Sequence, residues 1–260
     1  MTPPPVAALD LRPAPGAAPP RQRVLAQAQS EISVLLRNGE QLLVAVVLPA
    51  LVLIGLVQAH SPDLGPARRV DVIAPGVLAL ALISSAFTGQ AIQTGFDRRY
   101  GVLRLLGSTP LGRSGLLTAK AVAALGVVAI QVVVLSVLAA FLGWRPKAIG
   151  VLPAAVFLVV GTATFVALAL LLAGLLRAEA VLAVANLVWV LLLAGSAVVV
   201  PAHVMPTPLD RIAPWLPSGA LADGLRAALQ HGRLSVVPLL VLLIWFGAAA
   251  ALVARTFRWS

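Results

Sequence analysis

The chain contains no cysteine and only three histidines among its 260 residues. Without cysteine it can form neither a disulfide bond nor a thiolate metal site. The histidines, His60, His203 and His231, lie far apart in sequence and lack the short spacing of zinc ligands. They are expected to be solvated loop residues, so no metal site is predicted.

Charge is also scarce. Charged residues make up 11% of the sequence and apolar residues 60%, and the mean hydropathy is +1.00. Globular domains average about 25% charged and about 45–50% apolar residues. The composition therefore predicts an all-α integral membrane protein. Its net charge of +10 is interpreted as the excess of Lys and Arg that sets membrane topology, not as a nucleic-acid-binding surface.

Two further absences restrict the function. The sequence has no phosphate-binding loop of the form GxxxxGK[ST], so the chain is not expected to hydrolyse ATP alone. Almost no ionisable residue lies within its long apolar runs, whereas proton- or ion-driven carriers usually place Asp, Glu or His at membrane depth. If the protein moves a substrate uphill, the energy must enter from another polypeptide.

Six apolar runs are long enough to cross a bilayer, which takes about 17–25 helical residues. A short charged sequence, Arg177 to Glu179, separates the fourth run from the fifth and predicts a turn at one membrane surface. The six predicted spans are Gln41–Val57, Ile73–Ile92, Ala121–Leu142, Val151–Leu176, Ala180–Val200 and Val236–Ala254.

The amino-terminal region has two parts. Residues 1–20 are rich in Pro and Ala and predict a disordered tail. Residues 21–38 show apolar side chains at helical spacing and predict an amphipathic helix. This helix is expected to lie in the lipid headgroup plane. The alternative is an ordinary helix packed on soluble protein.

The distribution of basic residues predicts the orientation. With the amino terminus inside, twelve of the nineteen basic residues fall on the inner side of the membrane. The positive-inside rule then places both termini and the 93–120 loop in the cytoplasm. Residues 201–235 become an outer segment.

Prolines break the outer segment 201–235, and a short amphipathic helix with apolar residues Leu221 and Leu225 follows them. Asp223 and Arg226, on its polar side, are spaced for an i,i+3 ion pair. A broken segment of this kind can re-enter the outer leaflet where the surrounding protein satisfies its backbone.

The 93–120 loop is the longest polar interruption in the first two-thirds of the sequence. After Gly101, a short Leu-rich helix is predicted, ending at Gly107 and Pro110. From the residues alone, a helix that docks in a groove of a soluble partner and a solvated basic loop are equally well supported.

The sequence Phe96–Leu111, FDRRYGVLRLLGSTPL, resembles the cytoplasmic loop of ABC transporter permeases of the type-two exporter family, which export drugs, lipids and polysaccharides. That pattern has an acidic-basic pair, a glycine turn, a Leu-rich helix and Thr-Pro-Leu, and Lys120 matches its lysine before the third span. Residues 216–221, LPSGAL, resemble the family's segment before the last span. Asp97 stands where many relatives carry Glu and keeps the charge.

The resemblance implies a six-span permease domain over residues 21–260. It implies a second permease subunit, identical or related, and two ABC ATPase subunits that bind ATP and Mg, with no cofactor on this chain. The residues implied to couple the permease to the ATPase are Asp97, Arg98, Arg99, Tyr100, Gly101, Leu105, Leu106 and Pro110. The expected location is the bacterial cytoplasmic membrane.

Four polar or aromatic residues in the spans are candidates for a substrate path: Gln90, Gln131, Asn186 and Trp189. Hydrogen bonding between helices is the favoured role for the three amides, and Trp189 could equally be core or lipid-facing. The apolar spans favour an amphiphilic, drug-like or lipid-like substrate. The alternative function is a membrane scaffold or regulatory subunit that transports nothing.

Overall fold

The computed structural model describes residues 16–37, 39–61, 63–195, 197–201, 204 and 207–256. Within these residues the chain is helical and contains no strand, so the predicted all-α class is confirmed. The predicted tail falls largely outside the described residues. The α-helices are α1 Pro20–Arg37, α2 Gly39–Gln58, α3 Arg69–Ile83, α4 Gln90–Arg99, α5 Val102–Gly107, α6 Gly112–Phe141, α7 Val151–Leu175, α8 Ala178–Gly195, α9 Thr207–Ile212, α10 Pro217–His231 and α11 Val236–Thr256.

Among the residues that the structure describes, four helical stretches are long and apolar enough to cross a membrane. They are Arg69–Arg99, Ser114–Phe141, Ala148–Leu175 and Val236–Arg255. The first joins α3 to α4 through a π-helix at Ser84–Gly89.

The first and fifth predicted spans correspond to shorter apolar helices, Ala45–Gln58 and Ala178–Leu192. The predicted turn between the fourth and fifth spans is confirmed, because α7 ends at Leu175 and α8 begins at Ala178. The predicted end of the fifth span at Val200 is wrong. Helix α8 ends at Gly195, and Ala197 adopts a φ of 52°, which is outside the right-handed helical region.

The connections between helices lie on two opposite faces. On one face, Arg98 of α4 bonds carbonyl oxygens at the end of α7, beside α5; we name this the α5 face. On the other, Arg68 before α3 bonds the carbonyl oxygen of Gly143 after α6, and the amide of Lys147 bonds Leu229 of α10. We name this the α10 face.

Helix α3 is the centre of the fold. Its residues from Ile73 to Ile83 are all buried, and it packs against α2, α6, α7 and α10. In the π-helix that follows α3, the ring of Phe87 packs edge-on against that of Phe165 of α7, with the centroids 6.4 Å apart. The candidate span Arg69–Arg99, which leads into α5, is therefore the most buried of the four.

Helix α10 confirms the amphipathic helix predicted in the outer segment, and it lies between α3 and α7. Leu221 of α10 packs against Gly161, ten residues into α7, which corresponds to a depth of about 15 Å. The helix therefore reaches well below the α10 face. Its polar side is only partly solvated: the side chain of Asp223 is 34% exposed, whereas Arg226 turns inward to bond backbone carbonyls and is 7% exposed.

Helix α1 confirms the predicted amphipathic helix and packs along α6 of the same chain. Val24 and Ile32 lie against Gly115 and Gly126 of α6. The side of α1 that faces the protein also buries the carboxylate of Glu31. This burial positions a charge beside the 93–120 loop.

Candidate coupling site

Two glycines set the path of the 93–120 loop. Gly101, with a φ of 78°, lies between α4 and α5, and Gly112, with a φ of 70°, begins α6. Residues with a side chain rarely adopt these angles. Between the glycines, α5 runs from Val102 to Gly107, which confirms the predicted short helix.

Three charged side chains meet where α1, α4 and α6 come together. The ammonium of Lys120 lies 3.0 Å from Glu31 Oε1 and 3.1 Å from Asp97 Oδ2. The side chains of Lys120 and Glu31 are 0% and 6% exposed, and that of Asp97 is 23% exposed. We name Glu31, Asp97 and Lys120 the buried ion cluster.

Two amides complete the buried ion cluster. Gln27 and Gln93 donate to the two carboxylate oxygens of Glu31, at 3.2 and 3.4 Å. Because ions removed from water need partners of opposite charge and further hydrogen bonds, the cluster favours one fixed arrangement of α1, α4 and α6. Helix α4, which leads into α5, is thereby tied to two neighbouring helices.

The two arginines that follow Asp97 tie α4 to α7 and α8. Arg98 Nη1 donates to the carbonyl oxygens of Ala173 and Gly174 at 3.2 and 3.0 Å. A cation is favourable there because the last carbonyls of a helix lack helical partners and carry its negative dipole end. Arg99 forms an ion pair with Glu179 in the first turn of α8.

Helix α5 has one side in the protein and one side in solvent. Leu103 is fully buried, and Leu106 packs against the core. On the other side, Tyr100, Val102 and Leu105 are 73%, 41% and 70% exposed. We name these three residues the α5 patch. A group of exposed apolar side chains marks a surface that binds another protein or a membrane.

Pro110, the last of the coupling residues implied by the family resemblance, is exposed after α5. Phe96, which is not one of them, stacks its ring on that of Tyr100 with the centroids 6.1 Å apart. The structure thus places all eight of these residues on one short stretch of the α5 face.

Two of the four path candidates hydrogen-bond at the π-helix. Gln131 of α6 accepts from Ser85 at 2.9 Å and donates to the carbonyl oxygen of Ala45 in α2 at 2.9 Å. Trp189 of α8 donates to Ser84 Oγ at 3.0 Å. Helices α2, α6 and α8 are therefore joined at this point, and π-helices often occur at functional sites.

The other two candidates lie elsewhere. Gln90, one residue beyond the π-helix, is 2% exposed, and its Oε1 has no hydrogen-bond partner among the described protein atoms. Asn186 is exposed on α8 and donates to Leu182 of its own helix. The structure therefore does not gather the four candidates into one site.

A family model described as ABC-2 type transporter matches residues 22–229 of this chain. The match covers well over half of the sequence. The chain belongs to the ABC-2 type transporter family. No curated protein matches it.

The ABC-2 match runs from α1 to α10 and includes the whole 93–120 loop, so the resemblance noted in the sequence is confirmed. Membership makes this chain a multi-pass membrane subunit of an ABC transporter and implies association with ABC ATPase subunits. The α5 patch and the charged residues that contact α4 beneath it all lie within the matched residues.

Sequence reasoning missed the part that Glu31 and Gln93 play in this ABC-2 protein. Glu31 lies three residues after Ala28 and four before Leu35, on the side of the predicted helix that carries apolar residues. A carboxylate on that side needs a cation where it is buried. Lys120, 89 residues later, provides it, and no local pattern links the two positions.

Proposed function

We propose that the chain is the permease subunit of an ABC exporter, and that an ABC ATPase subunit docks on the α5 patch. The observation that carries the proposal is the combination of exposure and anchoring at α5. Tyr100, Val102 and Leu105 are exposed, while the three residues just before them bond directly to α6, α7 and α8 and, through Lys120, to α1. A partner that binds the patch would hold a rigidly connected part of the membrane domain.

The contacts of α4 define what a moving partner would displace. Asp97 connects α4 to α6 and, through Lys120, to α1. Arg98 connects it to α7 and Arg99 to α8. Closure of the ATPase subunits on ATP would push α5 and α4, and these contacts would carry the displacement into the spans.

The energy for transport would come from ATP and Mg bound by the ATPase subunits. The family resemblance supports two such subunits and a second permease, identical or related. An amphiphilic, drug-like or lipid-like substrate would pass between the permease halves. Gln90, Gln131, Asn186 and Trp189 remain the proposed path residues, and the π-helix contacts of Gln131 and Trp189 would let a bound substrate influence helix packing.

The α5 face is proposed to be cytoplasmic and the α10 face to be outside. The excess of basic residues on the segments assigned to the inside supports this orientation. Both termini are then cytoplasmic, in the bacterial cytoplasmic membrane. Residues 21–260 would form the permease domain.

Co-purification with the ATPase tests the docking proposal. Leu105→Arg places a charge in the centre of the α5 patch, and Leu234→Arg places the same charge on an exposed leucine of the α10 face. We expect Leu105→Arg to abolish co-purification and the stimulation of ATP turnover in lipid, and Leu234→Arg to preserve both. Unchanged assembly and turnover in Leu105→Arg would show that the ATPase does not dock at α5.

The double variant Asp97→Ala with Arg98→Ala tests the anchoring beneath the α5 patch. It leaves the exposed apolar residues in place but removes contacts from α4 to α6 and α7. We expect the complex to form with weaker ATPase stimulation. Equal stimulation and equal assembly would remove Asp97 and Arg98 from the coupling path.

A further inference from the structure

Arg226, in the segment before the last span, contacts the end of α8 rather than solvent. Resting on the proposed function, we propose that Arg226 is a positioning residue that fixes the outer end of α8. Helix α8 then transmits motion from the α5 face to the outer surface of the transporter.

The guanidinium of Arg226 binds two backbone carbonyls, of Ala197 and Val198, in the segment that follows α8. Nη1 and Nη2 each lie 3.1 Å from the oxygen of Ala197, and Nη2 lies 2.5 Å from that of Val198. Asp223, one turn earlier on α10, accepts from Nη1 at 3.1 Å. The bonded carbonyls therefore lie two and three residues after Gly195, the last residue of α8.

Helix α3 leaves the space that this arrangement needs. A Cβ atom on Gly76 would collide with the carbonyl oxygen of Val198 and lie 3.0 Å from Arg226 Nη2. We name Gly76, Ala197, Val198, Asp223 and Arg226 the Arg226 clamp. It joins the end of α8 to α10 and seats both against α3.

The clamp is more than a way to end a helix. A glycine in the left-handed conformation ends a helix without any buried charge, yet here Ala197 adopts a φ of 52° and an arginine is buried to bond it. Burying a guanidinium has a large desolvation cost. A buried arginine is useful where two helices have to move together, because its hydrogen bonds hold the segment after α8 to α10.

The other end of α8 contacts the proposed coupling site. Glu179 pairs with Arg99, and Val181 packs against Gly95 of α4. Midway, Trp189 bonds Ser84 of the π-helix. The 18 residues of α8 span about 27 Å. A rigid helix held at both ends carries a displacement of one end to the other.

Distances measured between spin labels in the permease–ATPase complex test this inference. The chain has no cysteine, so introduced cysteines label without background. An inner pair at Thr118 and Leu182 and an outer pair at Phe141 and Ala194 both report α8 relative to α6, from exposed positions at opposite ends. We expect ATP trapped in the ATPase subunits to change both distances in the parent.

The variants separate the two ends. Arg226→Met should keep the inner change and lose the outer one, and Gly76→Ala, which forces the same carbonyl away, should do likewise. Arg233→Met, at an exposed arginine beyond α10, should behave as the parent. If Arg226→Met fails to assemble with the ATPase, the outer distance in Gly76→Ala, compared with the outer distance in the parent, tests the role of the clamp.

The outcomes distinguish this inference from the proposed function. If ATP still changes the outer distance in Arg226→Met or Gly76→Ala, the proposed role of the clamp is wrong. It is also wrong if ATP changes the inner distance of the parent but not its outer distance. A parent in which the inner distance does not respond, or which does not bind the ATPase, overturns the proposed function itself.

Discussion

Replacing Lys120 with methionine removes the ammonium of the buried ion cluster and keeps a side chain of similar length. The two carboxylates of Glu31 and Asp97 then remain without their cation. Glu31 is the more affected of the two, because its side chain is 6% exposed and that of Asp97 is 23% exposed. The variant therefore tests whether α1 and α4 are held to α6 by charge.

The magnitude follows from the two distances. At 3.0 and 3.1 Å, each ion pair contributes about 5 kcal/mol of Coulomb energy at an effective dielectric constant of about 20. Desolvation of the three groups offsets most of this energy. Removing one partner from a buried pair typically lowers the free energy of unfolding by about 3–5 kcal/mol, since a charge is left uncompensated.

Thermal unfolding of the purified permease in detergent or nanodiscs measures the effect. A loss of about 3–5 kcal/mol corresponds to a fall in Tm of roughly 6–20 °C for a domain of this size. Lys147, the other lysine of the chain, is exposed. Lys147→Met is the matched control, with an expected change of less than about 0.5 kcal/mol.

A neutral cluster provides the rescue. Because the loss in Lys120→Met comes from charges left uncompensated, Lys120→Met combined with Glu31→Gln and Asp97→Asn, which removes those charges, should recover most of the lost stability. If Lys120→Met alone matches Lys147→Met, the three charges are solvated and do not hold α1 and α4 in place. A triple variant less stable than Lys120→Met would also contradict the reasoning.

Two further predictions concern backbone fit. Gly101→Val places a β-branched residue at a φ of 78° and should lower the free energy of unfolding by about 1–2 kcal/mol or more. It should also reduce ATPase stimulation in the assembled complex. Full stimulation in this variant would show that the left-handed turn between α4 and α5 is not needed for coupling. Gly224→Ala drives a methyl group into the ring of Phe157 and should lower the free energy of unfolding by about 1–3 kcal/mol; an unchanged Tm would mean that α10 sits farther from α7.

Much of this architecture follows from local sequence. Apolar runs identify the spans because bilayer thickness sets their length. Gly101 and Gly107 bound α5 because one supplies a left-handed angle and the other ends a short helix. The Arg177–Glu179 turn follows from charges that have no place at membrane depth. Each of these inferences uses residues within a few turns of one another.

The rest depends on residues far apart in the chain. Lys120 and Glu31 are in contact although 89 positions separate them, and the sequence around either residue gives no sign of its partner. The π-helix at 84–89 bonds Gln131 and Trp189, which belong to other helices. Amphipathic periodicity places Arg226 on a polar side of α10, but the carbonyls that bury it become visible only when α8 ends early at Gly195.

Photo-crosslinking from α5 in native membranes tests directly whether the ATPase docks on the α5 patch. A benzophenone amino acid at Leu105, and separately at Leu234 of the α10 face, would be irradiated with the co-expressed ATPase present. We predict an adduct between the ATPase and the chain labelled at Leu105, and none from Leu234, although both leucines are exposed. Absence of the adduct at Leu105, or equal adducts from both positions, would contradict docking of the ATPase on the α5 patch.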